Sequence, residues 1–266
     1  MKIAIIGCGN MGMAFARSFL QYDLVKKSNL LLIEKSQERS IALKASKEGV
    51  VVDVINNQIT DYELIILSVK PQDFPTVQEE LKAVIQPHQV VLSIMAGVPM
   101  SKIQDVLNHR LVVRAMPNTP AMLGMGITGF TAAPEVDATK LRKIENLINA
   151  TGRSVYLEDE SMIDAVTALS GSGPAYFYYI VKQMIDAGKQ MGFDEGMAGL
   201  LVKQTMLGAY HLINNAEQNL DDLIKQVASK GGTTEAALKT FEEHQIATGI
   251  IQGILAAENR AKELSK

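Results

Sequence analysis

Short apolar runs alternate with amphipathic stretches along the first half of the chain. Lys2–Ile6 reads as a strand and Met11–Leu20 as a helix that buries Met13, Phe15, Ala16, Phe19 and Leu20. Leu30–Ile33, Val50–Val52 and Leu64–Val69 follow as strands, with a helix over Glu38–Lys47 between the first two. After Pro75 the apolar positions Val77, Leu81, Val84 and Ile85 fall at helical spacing. Val90–Ile94, Leu111–Met116, Ile127–Ala132 and Ser154–Leu157 complete the strands, with a helix over Ala138–Asn149 before the last. Strands that alternate with helices, and are apolar throughout rather than at every second position, predict a parallel sheet covered on both faces.

The pattern changes at Glu158-Asp159-Glu160, where the boundary between residues 1–158 and 159–266 is placed. Beyond it only helices are expected, over Pro174–Met191, Gly196–Ile213, Leu220–Ala228, Thr234–Glu243 and Ile246–Leu264. Gly196–Ile213 is apolar nearly all round, and such a helix must be buried. A domain of about 110 residues has little room to enclose it. The expectation is that it forms the centre of a subunit interface.

Composition narrows the class. The chain has 266 residues, 47% hydrophobic and 21% charged, with formal net charge −3. These values suit a globular protein and argue against a strongly basic nucleic-acid binder. A single cysteine, Cys8, excludes an intrachain disulfide and a cysteine-based zinc site. No apolar run reaches the ~18–20 residues that span a bilayer. MKIAIIG is interrupted by Gly7, Gly9 and Gly12 and lacks a cleavage pattern, so no secretion signal is read there. A cytoplasmic protein with neither membrane nor nucleic-acid partner is expected. His88, His109, His211 and His244 show no metal-ligand spacing, and no metal is assigned.

Gly7-Cys8-Gly9-Asn10-Met11-Gly12 matches G-x-G-x-x-G between a strand and a helix. Gly7 permits the turn, Gly9 lets backbone approach a pyrophosphate, and Gly12 lets helix pack on strand. The helix N-terminus then offers free N–H groups to the phosphates. Cys8 is a packed spacer. An acid is expected about 20 residues on, and Glu34 stands at the end of the second strand. It accepts ribose hydroxyls and repels a 2′-phosphate, whereas Lys35 and Ser36 beside it suit that phosphate, so the choice between NADH and NADPH stays open. Ser68-Val69-Lys70-Pro71 and Met95-Ala96-Gly97 lie at two further strand ends, where an open sheet forms its crevice. Lys70 is either a partner for cofactor phosphate or an ordinary surface lysine. Arg114 is expected to hold the Pro-rich loop that follows it.

GCGNMG, SVKP (68–71), RAMPNTP (114–120), SGSGPAY (170–176) and SKGGTTEAAL (229–238), in this order, resemble pyrroline-5-carboxylate reductase over nearly the whole chain. The resemblance implies an α/β chain: an N-terminal Rossmann-type parallel-sheet domain that binds NAD(P), followed by an all-α C-terminal dimerisation and substrate domain. It implies homodimers through interlocked helical domains, often assembled into decamers. Members use NADPH, and many accept NADH. Carried over by motif, Ile6, Gly7, Cys8, Gly9, Asn10, Met11, Ser68, Val69, Lys70, Pro71 and Ala96 line the cofactor, with Asn56, Glu34 and Lys35 beside it. Ser229, Gly231, Gly232, Thr233 and Thr234 form the substrate loop, and Glu217 lies beside that loop across the dimer. Glu34 departs from the small or basic residues common at its position.

Reducing a cyclic imine asks the protein to position, polarise and desolvate, because the nicotinamide carries the hydride. A Gly-Gly-Thr-Thr segment opening a helix supplies an anion site for a substrate carboxylate. Spacing alone favours Thr233 and Thr234 as helix caps. The resemblance instead gives Thr234 the catalytic role of hydrogen-bonding the imine nitrogen. Two rival readings exist. A β-hydroxyacid-type dehydrogenase needs a catalytic lysine where Phe177 stands. A non-catalytic dinucleotide sensor needs no anion loop in the helical domain.

Overall fold

The computed structural model describes residues 1–265. It divides into two compact units, one of Met1–Pro174 with the chain end from Ala257, the other of Ala175–Ala256.

The first unit is built on an eight-stranded sheet in the order β3-β2-β1-β4-β5-β6-β7-β8. The strands are β1 Ile3–Ile6, β2 Leu30–Ile33, β3 Val50–Val52, β4 Leu64–Leu67, β5 Val90–Ser93, β6 Val112–Met116, β7 Gly126–Ala132 and β8 Gly152–Tyr156. Between them run α1 Asn10–Gln21, α2 Gln37–Ser46, α3 Phe74–Lys82, α4 Met100–Leu107 and α5 Ala138–Asn149. The order reverses between β1 and β4, and that switch point opens the crevice of a doubly wound fold.

Both faces of the sheet's centre are covered, which is why β1, β2, β4 and β5 are buried at every position and lack polar alternation. Ile3 and Ile5 of β1 join one core cluster with Phe15 and Phe19 of α1 and Leu147 and Ile148 of α5. Ala4 and Ile6 join the other, with Phe74, Val77 and Leu81 of α3 and Ile103 and Leu107 of α4. Phe15 and Phe19 meet edge to face, 5.8 Å between centroids. Each fully buried side chain of this size contributes roughly 1.5–3 kcal/mol.

The sheet is not wholly parallel as expected, because β7 runs antiparallel to β6. Only residues 117–125 join these strands, too few for the crossover that a parallel pair requires. The longer connection through α5 restores parallel pairing for β8.

Past β8 lies α6 Met162–Val166, then a widened π-type turn over Thr167–Gly171. The remaining helices are α7 Gly173–Gln190, α8 Glu195–Asn215, α9 Leu220–Val227, α10 Thr233–Glu243 and α11 Ile246–Leu264. Among the described residues, no helix is long and apolar enough to cross a membrane. The start of α8 is capped by Asp194, which accepts from the Met197 N–H at 2.9 Å, and that of α9 by Asn219. In the second unit only Ala198 and Gly199 are buried. Leu200, Leu207, Tyr210, Leu212 and Ile213 of α8 are all at least half exposed in the single chain.

Candidate active site

The glycine turn between β1 and α1 is sterically obligatory. Gly7 has φ +92°, and a methyl group there would lie 2.7 Å from the Ser68 carbonyl oxygen. A methyl group on Gly12 would lie 2.2 Å from the Gly7 carbonyl oxygen. Gly9 faces open space, its nearest neighbour the Arg39 guanidinium 3.9 Å from where a Cβ would sit. Gly9 is also the N-cap of α1 and supplies no side-chain cap, so the helix end stays available to an incoming anion.

A cleft of about 1070 Å³ runs from this turn along the strand ends. It brings together Cys8, Gly9, Asn10 and Met11 with Ser68, Val69, Lys70, Pro71 and Ala96, as expected from the motifs. Ile6 and Gly7 support it from within: Ile6 is buried in β1, and the Gly7 N–H donates to the Ile33 carbonyl. An open helix terminus, a turn that only glycine can make and a long cleft fit a bound dinucleotide.

Besides Ile6 and Gly7, three predicted cofactor residues, Glu34, Lys35 and Asn56, lie off the cleft wall. Glu34 is 7% exposed, and its carboxylate turns inward. Oε2 accepts from the Cys8 N–H at 3.1 Å and Oε1 from the Ser36 N–H at 2.8 Å. Lys35, expected beside a phosphate, instead pairs with Glu80 at 2.8 Å, because successive residues at the strand end face opposite ways. Asn56 caps the short 3-10 helix Asn57–Asp61, its Oδ1 accepting from the Gln58 N–H.

Sequence reasoning missed Arg39, which lines the cleft and reaches to 3.8 Å from Glu34. Its signal was a cation in the first turn of α2, where the helix dipole disfavours positive charge. Thr119, within the Pro-rich motif, and Met122 and Leu123, just after it, also line the cleft.

Cys8 is inert by construction. It is buried, its Sγ donates weakly to the Ile33 carbonyl, and burial followed by the nearby Glu34 charge pushes its pKa up from 9.0 to about 12. Iodoacetamide at mild alkaline pH should therefore label Cys8 only after denaturation, a result mass spectrometry reads directly. The protonated thiol favours the fold below pH 9, and that contribution is lost as pH rises towards 12, since the unfolded thiol ionises first.

Arg114 does not hold the Pro-rich loop. Its buried guanidinium pairs with Glu160 at 3.0 Å and Asp164 at 3.2 Å, because both carboxylates lie on the segment leading through α6. Glu160 also accepts from the Met100 N–H, and Asp164 from Ser265. The loop is held by Asn118, which donates to the Ser170 carbonyl and accepts from the Ile127 N–H. A methyl group on Gly171 would meet Met116 at 2.8 Å, so the Ser-Gly-Ser-Gly turn packs against the RAMPNTP motif.

In the second unit, Ser229, Gly231, Gly232, Thr233 and Thr234 form one loop at the start of α10. Gly231 has φ +72°, and its N–H donates to the Glu235 carboxylate at 2.6 Å. The Gly232 N–H donates to the Ser229 carbonyl. The N-cap of α10 is Gly232, with no side-chain cap, so neither threonine fills that role. The Thr233 and Thr234 hydroxyls have no hydrogen-bond partner among the described residues. The loop therefore presents an uncapped helix end and two spare hydroxyls. Glu217 is exposed between α8 and α9.

Residues 160–264 match the family described as pyrroline-5-carboxylate reductase dimerisation, and residues 2–97 that described as NADP oxidoreductase, coenzyme F420-dependent. The pyrroline-5-carboxylate reductase of Pseudomonas aeruginosa is 36% identical over 100% of this chain and 97% of its own. That of Vibrio alginolyticus is 38% identical over 100% and 98%. The solved Plasmodium falciparum pyrroline carboxylate reductase with NADP bound superposes with a TM-score of 0.91 at 25% identity, covering 100% and 98% of the two chains. This chain belongs to the pyrroline-5-carboxylate reductase family. The exposed apolar helices of the second unit lie within the region that matches the dimerisation family. The β-hydroxyacid-type dehydrogenase reading is not favoured, and Phe177 offers no proton at the position its lysine would occupy.

Proposed function

We propose that this chain reduces 1-pyrroline-5-carboxylate to L-proline, the last step of proline biosynthesis, using NADPH or NADH. The observation that carries the reading is the pairing, within one chain of this family, of a glycine-turn dinucleotide cleft with an uncapped helix end bearing two spare hydroxyls. A non-catalytic sensor has no use for the second.

The first unit holds the dinucleotide through the α1 N-terminus, the glycine turn, Ser68–Pro71 and Ala96. When bound, the cofactor supplies the hydride that the imine carbon gains. The second unit takes the substrate carboxylate on the backbone N–H groups at the start of α10, with Gly231 and Gly232 allowing close approach. Glu235 pre-forms the loop by fixing the Gly231 N–H. Ser229 and Thr233 complete the loop, and Glu217 lies beside it from the partner subunit. The Thr234 hydroxyl hydrogen-bonds the ring nitrogen, which gains a proton as C=N becomes C–N. The working assembly is a homodimer through the helical unit, with a decamer as the further assembly, in the cytoplasm and without nucleic-acid or membrane partners.

The test is consumption of NADPH or NADH on addition of pyrroline-5-carboxylate, with L-proline identified as product. No consumption with either cofactor overturns the reading.

A further inference from the structure

We propose that Arg114 is a positioning residue for the nicotinamide end of the cleft, acting through Glu160 and Asp164 on the loop that joins β5 to α4. The proposal rests on the reading of the cleft as a dinucleotide site and goes beyond it in naming what holds one wall of that site in place. Arg114 is not itself on the cleft wall.

Ile94, Met95 and Ala96 line the cleft just after β5. A dinucleotide lies across the switch point of the sheet with its adenosine on the β2 side, so this loop faces the nicotinamide half. The loop runs on through Gly97, Val98 and Pro99 into α4. Pro99 is the N-cap of α4 and makes no side-chain cap. The Met100 N–H, an orphan donor of the first turn, instead donates to Glu160 Oε1 at 2.7 Å. A carboxylate from a distant segment thus caps the helix and ties down the end of the loop.

A second hold acts at Gly97, which has φ +69°. A methyl group there would lie 2.8 Å from the Leu264 Cβ and 3.1 Å from the Leu264 carbonyl, so the end of α11 lies flush against the loop. The next residue, Ser265, reaches Asp164 Oδ1 with its hydroxyl at 3.0 Å. Both holds converge on one buried cation. Arg114 Nη1 donates to Glu160 Oε1 at 3.0 Å and Nη2 to Asp164 Oδ1 at 3.2 Å. These are the same two oxygens that meet Met100 and Ser265. The rigid fork of the guanidinium therefore fixes the spacing of the two carboxylates, and through them the loop, which a lysine acting as a point charge cannot do.

Direct binding tests this without any turnover. Calorimetry on the whole protein compares whichever of NADH and NADPH binds tighter with the same molecule lacking nicotinamide, ADP-ribose or its 2′-phosphate. The ratio of the two affinities is the margin that the nicotinamide contributes. In Arg114→Lys, which keeps the charge and gives up the fork, that margin should shrink at least about fivefold, with affinity for the nicotinamide-free ligand within about twofold of wild type. Glu160→Ala removes a partly exposed side chain, leaves Arg114 its Asp164 partner and frees the Met100 N–H, and should shrink the margin in the same direction. Single-turnover hydride transfer to the imine should slow by about tenfold or more in Arg114→Lys, because a small misplacement of the reacting groups is costly. An unchanged margin in either folded variant overturns the proposal, as does an equal loss of affinity for both ligands, which marks general loosening. A wild type with no nicotinamide margin overturns it too. If Arg114→Lys does not fold, Glu160→Ala decides alone. Binding of neither dinucleotide by wild type overturns the site reading along with the proposal. Binding without imine reduction overturns only the reaction, and the margin still decides the role of Arg114.

Discussion

Thr234→Ala should lower kcat and kcat/KM for pyrroline-5-carboxylate by at least about tenfold, with NAD(P)H affinity little changed. A positioned proton donor or hydrogen-bond partner contributes ~10²–10⁴-fold in the transition state. The loss is expected in kcat because the proton count on nitrogen changes during the step rather than on binding. Cofactor affinity is spared because the glycine turn, Ser68–Pro71 and Ala96 lie in the first unit. The variant should fold, since Gly232 and not a threonine is the N-cap of α10. Thr234→Ser keeps the hydroxyl and should retain much of the activity. Steady-state kinetics on the three proteins, with a titration of NADH, checks all of this. An alanine variant as fast as wild type would mean that the nitrogen takes its proton from water.

The central strands were legible because a sheet covered on both faces demands unbroken apolar runs, and Leu30–Ile33 shows one to the residue. Strand direction was not legible, because apolar residues in β7 look the same whichever way the strand runs. It is decided by the length of the connection from β6. The helix α4 escaped notice because eight residues give too few turns for a periodic stripe. At the candidate cofactor site, the steric demands on Gly7 and Gly12 follow from their lack of side chains, so the turn they make could be read from their positions. Glu34 is different. Its type and place were evident, but a carboxylate can face the ribose or its own backbone, and only the fold shows it bonded to Cys8 and Ser36. Lys35 and Arg39 exchange roles for the same reason. Three residues into a helix turns a side chain back over the preceding loop, whereas the neighbour of Glu34 points away from it.

Replacing Leu200 or Leu207 by Asp should break the assembly and abolish activity. Leu200 is 63% and Leu207 50% exposed in the single chain, on a helix whose sequence is apolar almost all round. Water-facing leucines at this density are unstable as a free surface, and the region matches a dimerisation family from residue 160 to 264. In the closed interface an aspartate would be a buried, unpaired charge, which costs several kcal/mol unless the subunits separate. Separation relieves that charge but exposes the remaining leucines, Tyr210 and Ile213 of α8, so aggregation should accompany dissociation. The first unit has its own two-sided core and should keep its dinucleotide affinity in any fraction that stays in solution. Light scattering on wild type and both variants measures the assembly, and the imine-reduction assay measures the consequence. A wild-type protein that is monomeric, stable and fully active would show that these leucines are not an interface.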